Sequence, residues 1–168
     1  MTMNYESKNL GNWAIGEGAF EWIYNNIKHG STILELGSGT GTIELCKYYN
    51  VYSVEQEARW LNLAHDQYIF APLKSYDNMA PHSSGWYNDS MFEKLPTNYD
   101  FLLVDGPVGN NRANFMLFHE KFNFDIPVLL DDTQRSEVVK MANDLSKIYN
   151  KTIVTPPQGS NKNFVILT

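Results

Sequence analysis

The chain has 168 residues, a net charge of −6, 43% hydrophobic residues and 14% aromatics. That size and balance predict one globular domain with a real core and no disorder signature. The acidic balance and the lack of a basic run argue against a duplex nucleic acid partner, since phosphate binding draws on a basic surface.

The single cysteine, Cys46, excludes a disulfide framework and a cysteine-based zinc site. No apolar run has the length of a membrane span, and the first residues lack the basic and apolar regions of a signal peptide. A cytoplasmic protein without a membrane partner is the expectation.

Residues 11–29 read as an amphipathic helix, with Trp13, Phe20, Ile23 and Ile27 at helical spacing and Gly30 as its stop. Residues 32–36 form a first strand. A helix over 40–49 follows, with Ile43, Leu45 and Cys46 facing inward. The second strand is 51–55, a helix covers 56–66, and a third strand over 68–71 closes at Pro72.

Residues 73–98 are irregular, with Pro81, Gly85 and Pro96 among them, and a short helix over 89–94. A loop this long in a compact domain is often functional. Trp86 and Tyr87 could serve it as a substrate lid or as a packed anchor, and His82 is its candidate substrate-facing histidine.

Residues 99–105 form a buried strand ending in Asp105-Gly106-Pro107, and a helix over 111–122 follows. Another buried strand, 126–130, ends in Asp131-Asp132. The helix over 133–149 places Val138, Val139, Met141, Ala142, Leu145 and Ile148 on one side, with Asp132 or Thr133 placed to cap it. Strands over 151–155 and 163–167 close the chain across Pro156-Pro157-Gln158-Gly159.

The early apolar runs are continuous rather than alternating, which predicts strands buried on both faces and therefore a parallel sheet between helices. The last two strands are too close in sequence to be parallel and form an antiparallel hairpin.

The densest functional signal is Ile33-Leu-Glu35-Leu-Gly37-Ser38-Gly39-Thr-Gly41, with Glu55 fourteen residues beyond the last of these glycines. Strand, glycine turn, helix, strand and acid describe half of a nucleoside-binding fold. Glycines let the backbone approach a ligand, and an acid can accept from both ribose hydroxyls. The spacing is not the G-x-G-x-x-G of dinucleotide binders, which disfavours an NAD-type oxidoreductase.

The stretch resembles motif I of the class I S-adenosylmethionine-dependent methyltransferases, (Asp/Glu)-x-Gly-x-Gly-x-Gly. The resemblance extends over almost the whole chain. It implies a Rossmann-like α/β fold: a doubly wound, mostly parallel sheet of seven strands in the order 3-2-1-4-5-7-6, with a C-terminal antiparallel hairpin and helices on both faces. It implies S-adenosylmethionine as cofactor. Glu35 would reach the methionyl amino group, often through water, and Gly37, Ser38, Gly39 and Gly41 would pass the methionine moiety. Glu55 would take the ribose. Gln56 would lie along the adenine, with Ala71, Pro72 and Leu73 lining its pocket. Trp13 and Glu17 lie where the family's N-terminal helix often closes over the cofactor.

Asp105 and the Asp131-Asp132 pair, at strand ends 26 residues apart, resemble the Mg²⁺ ligands of metal-dependent O-methyltransferases of the catechol type. Oxygen ligands suit a hard cation, which would acidify and orient a substrate hydroxyl. The lysine base those enzymes carry three residues after the first Asp is replaced here by Val108. Asp105 is then itself the candidate base. Arg112 and Arg135 are candidates to hold an acidic substrate group.

The resulting expectation is a methyltransferase acting on a hydroxyl of a small molecule or sugar, with Mg²⁺ as a possible helper. The alternative is an S-adenosylmethionine-binding protein without transferase activity, degenerate or dependent on a partner subunit.

Overall fold

A computed structural model of the chain describes residues 10–11, 14–157 and 162–168. Trp13, Gln158 and Gly159 lie outside the described residues. Seven strands form one sheet: β1 (Thr32–Leu36), β2 (Asn50–Glu55), β3 (Tyr68–Phe70), β4 (Phe101–Val104), β5 (Val128–Asp131), β6 (Ile153–Val154) and β7 (Phe164–Leu167). Their order is 3-2-1-4-5-7-6. All neighbours are parallel except β7, which runs antiparallel to both β5 and β6. The expected Rossmann-like α/β sheet, its closing hairpin and its strand order are all present.

The strands read as continuous apolar runs because each face is covered. On one face Ile33, Val51, Phe101, Leu103, Leu129 and Ile166 pack against α1 (Glu17–Asn26) and α2 (Thr40–Leu45). On the other, Leu34, Leu36, Leu102, Val104 and Leu130 meet α3 (Ser136–Tyr149) and the 3₁₀ segment Gly109–Leu117.

Several expected helices are shorter or different. The first spans only Glu17–Asn26, and the second stops at Leu45, leaving Ile43 exposed and Cys46 half-buried. The expected helix over 56–66 is a single 3₁₀ turn, Ala58–Trp60. Its propensity is adequate, but no residue from Gln56 to Tyr68 is fully buried. A short helix without an apolar face to bury has little to stabilise it. Likewise 111–122 resolves into 3₁₀ turns, Gly109–Leu117 and His119–Lys121, and 89–94 into another. In α3 the buried stripe is Val138, Met141, Ala142 and Leu145; Val139 and Ile148 face solvent.

The irregular 73–98 stretch is pinned rather than loose. Leu73–Lys74 and Trp86–Tyr87 form an antiparallel ribbon. Asn111 Oδ1 accepts from Ser84 N at 2.7 Å and Gly85 N at 3.1 Å. Asn114 accepts from Ala80 N and donates to the Gly85 carbonyl. Trp86 and Tyr87 are fully buried. They are core anchors rather than a substrate lid. His82 is exposed, in a left-handed conformation at φ 60°, and does not line the cavity described below.

Candidate functional site

The sheet order reverses between β1 and β4, so the connections leaving their carboxyl ends diverge and open a crevice. At its floor two glycine turns touch. Gly37 has φ +85°, and a Cβ there would stand 2.8 Å from Gly106 Cα. A Cβ on Gly106 would lie 2.2 Å from the Tyr87 hydroxyl oxygen. Only glycine satisfies both turns, which is the physical reason for Gly37 in the motif and for Gly106 in the Asp105-Gly106-Pro107 turn.

Above this crossing is a cavity of about 340 Å³. Gly37, Ser38, Glu55, Gln56, Glu57 and Trp60 line one half, over β1 and β2. Asp105, Arg112, Asp132, Gln134, Arg135 and Lys162 mark the other, over β4 and β5.

In the first half Glu55 is 2% exposed. Its Oε2 accepts from Ser38 N at 2.9 Å and Ser38 Oγ at 2.8 Å, and its Oε1 accepts from Glu57 N at 2.8 Å. Three neutral donors hold it at the cavity wall, and each carboxylate oxygen has two lone-pair directions. One acceptor direction, on Oε1, therefore remains for a ligand hydroxyl. Trp60 adds a flat apolar wall beside Gln56, under the Arg59 guanidinium carbon 5.3 Å from its ring centre. Sequence reasoning missed Trp60 because it fell inside the helix expected over 56–66; the signal was an aromatic five residues past the strand-end acid.

The structure does not bring every predicted residue here. Gly39, Gly41, Ala71, Pro72 and Leu73 do not line the cavity. Ala71 is fully buried, Pro72 is exposed, and Leu73 belongs to the ribbon. Glu35 does not line it either. Side chains alternate along a strand, and Glu35 points to the face where α2 packs. There it accepts from Thr42 Oγ1 at 2.9 Å and Ser53 Oγ at 2.6 Å. Burial pushes its carboxyl up to about 8, against the lowering effect of those two hydroxyls.

Thr42 Oγ1 in turn accepts from Gly39 N, so Glu35 braces the start of α2 beneath the glycine turn. Ser53 Oγ also meets His65 Nε2 at 2.9 Å. Because Gln67 N donates to His65 Nδ1, the ring proton sits on Nε2 and the histidine is neutral, as burial favours.

In the second half Asp105, Asp131 and Asp132 are brought together, each offering an oxygen within 4.8 Å of the others. Asp131 is completely buried. Burial, with Asp105 and Asp132 beside it, pushes its carboxyl far up. Burial also raises Asp105, offset in part by Arg112.

Asp132 does not cap α3: the helix starts at Ser136 with no side-chain cap. Instead it adopts φ 62° and accepts from Arg112 Nη1 at 2.7 Å and Gln134 Nε2 at 2.8 Å. Burial opposes its ionisation, but Arg112 and Gln134 outweigh it and hold Asp132 below the usual carboxylate range.

Arg112 is 3% exposed. Nη1 also donates to the Asp131 carbonyl, and Nη2 donates to the Asp105 carbonyl and lies 3.4 Å from Asp105 Oδ1. The three carboxylates have the chemistry of a hard-cation site, but a guanidinium already bridges two of them, Asp105 and Asp132, and meets Asp131 only at its backbone carbonyl. Arg112 donors already take Asp132 Oδ2 and Asp105 Oδ1, oxygens that an octahedral Mg²⁺ shell would have to draw in. The donor set therefore does not fit an additional Mg²⁺.

No protein-family model matches the chain, and no curated protein matches it in sequence. Solved structures do match. A ribosomal protein L11 methylase from Lactobacillus delbrueckii subsp. bulgaricus superposes with a TM-score of 0.54 at 15% identity, covering 90% of this chain and 75% of that one. An O-methyltransferase described as putative, from Klebsiella pneumoniae, superposes with a TM-score of 0.53 at 12% identity, covering 90% and 78%. At such identities the likeness is one of fold: the chain has the Rossmann-like α/β architecture of class I methyltransferases.

Proposed function

We propose that the protein is an S-adenosylmethionine-dependent methyltransferase acting on a hydroxyl oxygen of a small molecule or sugar. The observation that carries this reading is that Glu55, at the end of β2, and Asp105, at the end of β4, line one cavity on opposite sides of the switch between β1 and β4. When bound, S-adenosylmethionine supplies a methyl group on a positively charged sulfur.

The residues of this chain do the rest. Glu55 accepts from a ribose hydroxyl with its remaining Oε1 lone pair, and Gln56 and Trp60 flank the base. Ser38 and Glu57 keep Glu55 pointed at the cavity. Asp105, 19% exposed as a side chain, takes the proton of the acceptor hydroxyl on its carboxylate. Its raised pKa makes it a stronger base than an ordinary aspartate. Alignment in the cavity supplies most of the remaining acceleration. Mg²⁺ takes no part in this reading.

Calorimetric titration of S-adenosylmethionine against wild type and Glu55→Gln tests it. Wild type should bind, and Glu55→Gln should weaken binding by about tenfold or more, as expected for one charge-assisted hydrogen bond. A wild type that binds no S-adenosylmethionine overturns the reading. Binding without turnover on any hydroxylated acceptor would favour the non-transferase alternative.

A further inference from the structure

We infer that Arg112 is the resident cation of the strand-end carboxylate cluster, doing with its own guanidinium what a divalent ion would otherwise do there. Four features carry this. Asp105 and Asp132 leave the ends of adjacent parallel strands, β4 and β5, and Asp131 ends β5 itself. Their oxygens converge to within 4.8 Å, a concentration of negative charge that requires a counter-charge.

Arg112 supplies it from a backbone position on the Gly109–Leu117 turn, and only 4% of its side chain reaches solvent. Its contacts fall on both strand ends: Asp132 Oδ2 at 2.7 Å, Asp105 Oδ1 at 3.4 Å, and the carbonyls of residues 105 and 131.

The geometry suits a fork better than a sphere. A planar guanidinium presents divergent donors, so it can reach two carboxylates and two carbonyls at hydrogen-bonding distance at once. A small ion needs its oxygens drawn in to about 2.0–2.6 Å and more of them. The other cations of this half are placed differently. Arg135 Nε stays 3.7 Å from Asp132 Oδ2 and its side chain is 38% exposed, while Lys162 Nζ donates to the Ala14 carbonyl. Arg112 is therefore a positioning residue: it fixes the Asp105 carboxylate at the cavity wall and closes the cluster to other cations.

The consequence is an exchange. Removing the guanidinium should open a divalent-cation site that wild type lacks. The experiment is Mn²⁺ binding, followed by electron paramagnetic resonance and calorimetry, in wild type, Arg112→Ala, and Arg112→Ala with Asp131→Asn. Wild type should bind no Mn²⁺ below about 1 mM, and Arg112→Ala should bind at least about tenfold more tightly. The added Asp131→Asn should abolish that gain, and Arg135→Ala should not produce it.

Mn²⁺ should also raise the thermal midpoint of Arg112→Ala while leaving wild type unmoved. The idea fails if wild type binds Mn²⁺ through these carboxylates, seen as loss in Asp131→Asn. It fails equally if folded Arg112→Ala binds no more ion than wild type. Should Arg112→Ala be unfolded alone, inability of Mn²⁺ to fold it would show that ion and guanidinium are not interchangeable, and would overturn the idea as well. Ion binding is read throughout, so the outcome does not depend on whether the protein transfers methyl groups.

Discussion

The two halves of the cavity hold their acids in opposite ways. Over β1 and β2, Glu55 is secured by neutral donors, two backbone N–H groups and one hydroxyl. Over β4 and β5, Asp105 and Asp132 are secured by an ionised, buried partner. Neutral donors from the turns after β1 and β2 hold a carboxylate and leave one acceptor direction for a ligand. A buried guanidinium ties together two strand ends distant in sequence, and the cluster then depends on one side chain.

The sharpest way to break this comparison is to remove that side chain. Leaving buried carboxylates without their partner is expected to cost about 3–5 kcal/mol. Arg112→Leu should therefore lose that much in urea denaturation. Arg135→Leu, whose ion pair with Asp132 is long and partly exposed, should lose less than about 1 kcal/mol. Equal losses would mean that Arg112 has no special place.

A second test uses pH on Glu35, the brace beneath the first half. Glu35 has its carboxyl raised from 4.5 to about 8 in the folded protein, mainly by burial. Between those values the native state holds a proton that the unfolded chain has released, so stability falls as pH rises. The contribution is fully present below about 4.5 and is lost through about 8, with an amplitude on the order of 4–5 kcal/mol. Thermal midpoints measured from pH 5 to 8.5 should fall in wild type and flatten in Glu35→Gln. A Glu35→Gln slope like that of wild type would show that some other group carries the effect.

The same contrast explains what the sequence allowed to be read. Strand ends and the Gly37–Gly41 turn are local patterns, so the strands and their terminal acids, Glu55 and Asp105 among them, were legible, while the strand order followed from the family resemblance. Glu35 was legible as an acid in a motif but not as a brace, because its direction depends on which face of β1 receives α2. The three aspartates were legible as a cluster. That Arg112 fills it was not, because a 3₁₀ turn rather than the expected helix sets where residue 112 points. Trp60 was hidden for the same reason, by a helix expected where burial supplies none.

Gly37 tests the floor both halves share. With φ +85° and the Gly106 backbone 2.8 Å from any added Cβ, Gly37→Ala should cost about 2–3 kcal/mol. Gly30 has φ +87° but no atom within 4 Å of an added Cβ, so Gly30→Ala should cost only about 1 kcal/mol. Denaturation midpoints of the two variants separate backbone conformation from the glycine-on-glycine crossing. Similar losses would mean that the crossing is not tight.

The smallest expected effect lies at Ser38. Its hydroxyl donates to Glu55 Oε2 at 2.8 Å, and its own backbone N–H donates to the same oxygen at 2.9 Å. Ser38→Ala removes the first bond and keeps the second, while Glu57 N still holds Oε1. The cost should be about 1 kcal/mol in denaturation, the net worth of one hydrogen bond to a charged group in a partly wet site. Glu55 should stay pointed at the cavity, so affinity for S-adenosylmethionine should change by less than about threefold. A large affinity loss in Ser38→Ala would mean that the hydroxyl, rather than the backbone, orients Glu55. The first half would then depend on a single side chain much as the second depends on Arg112.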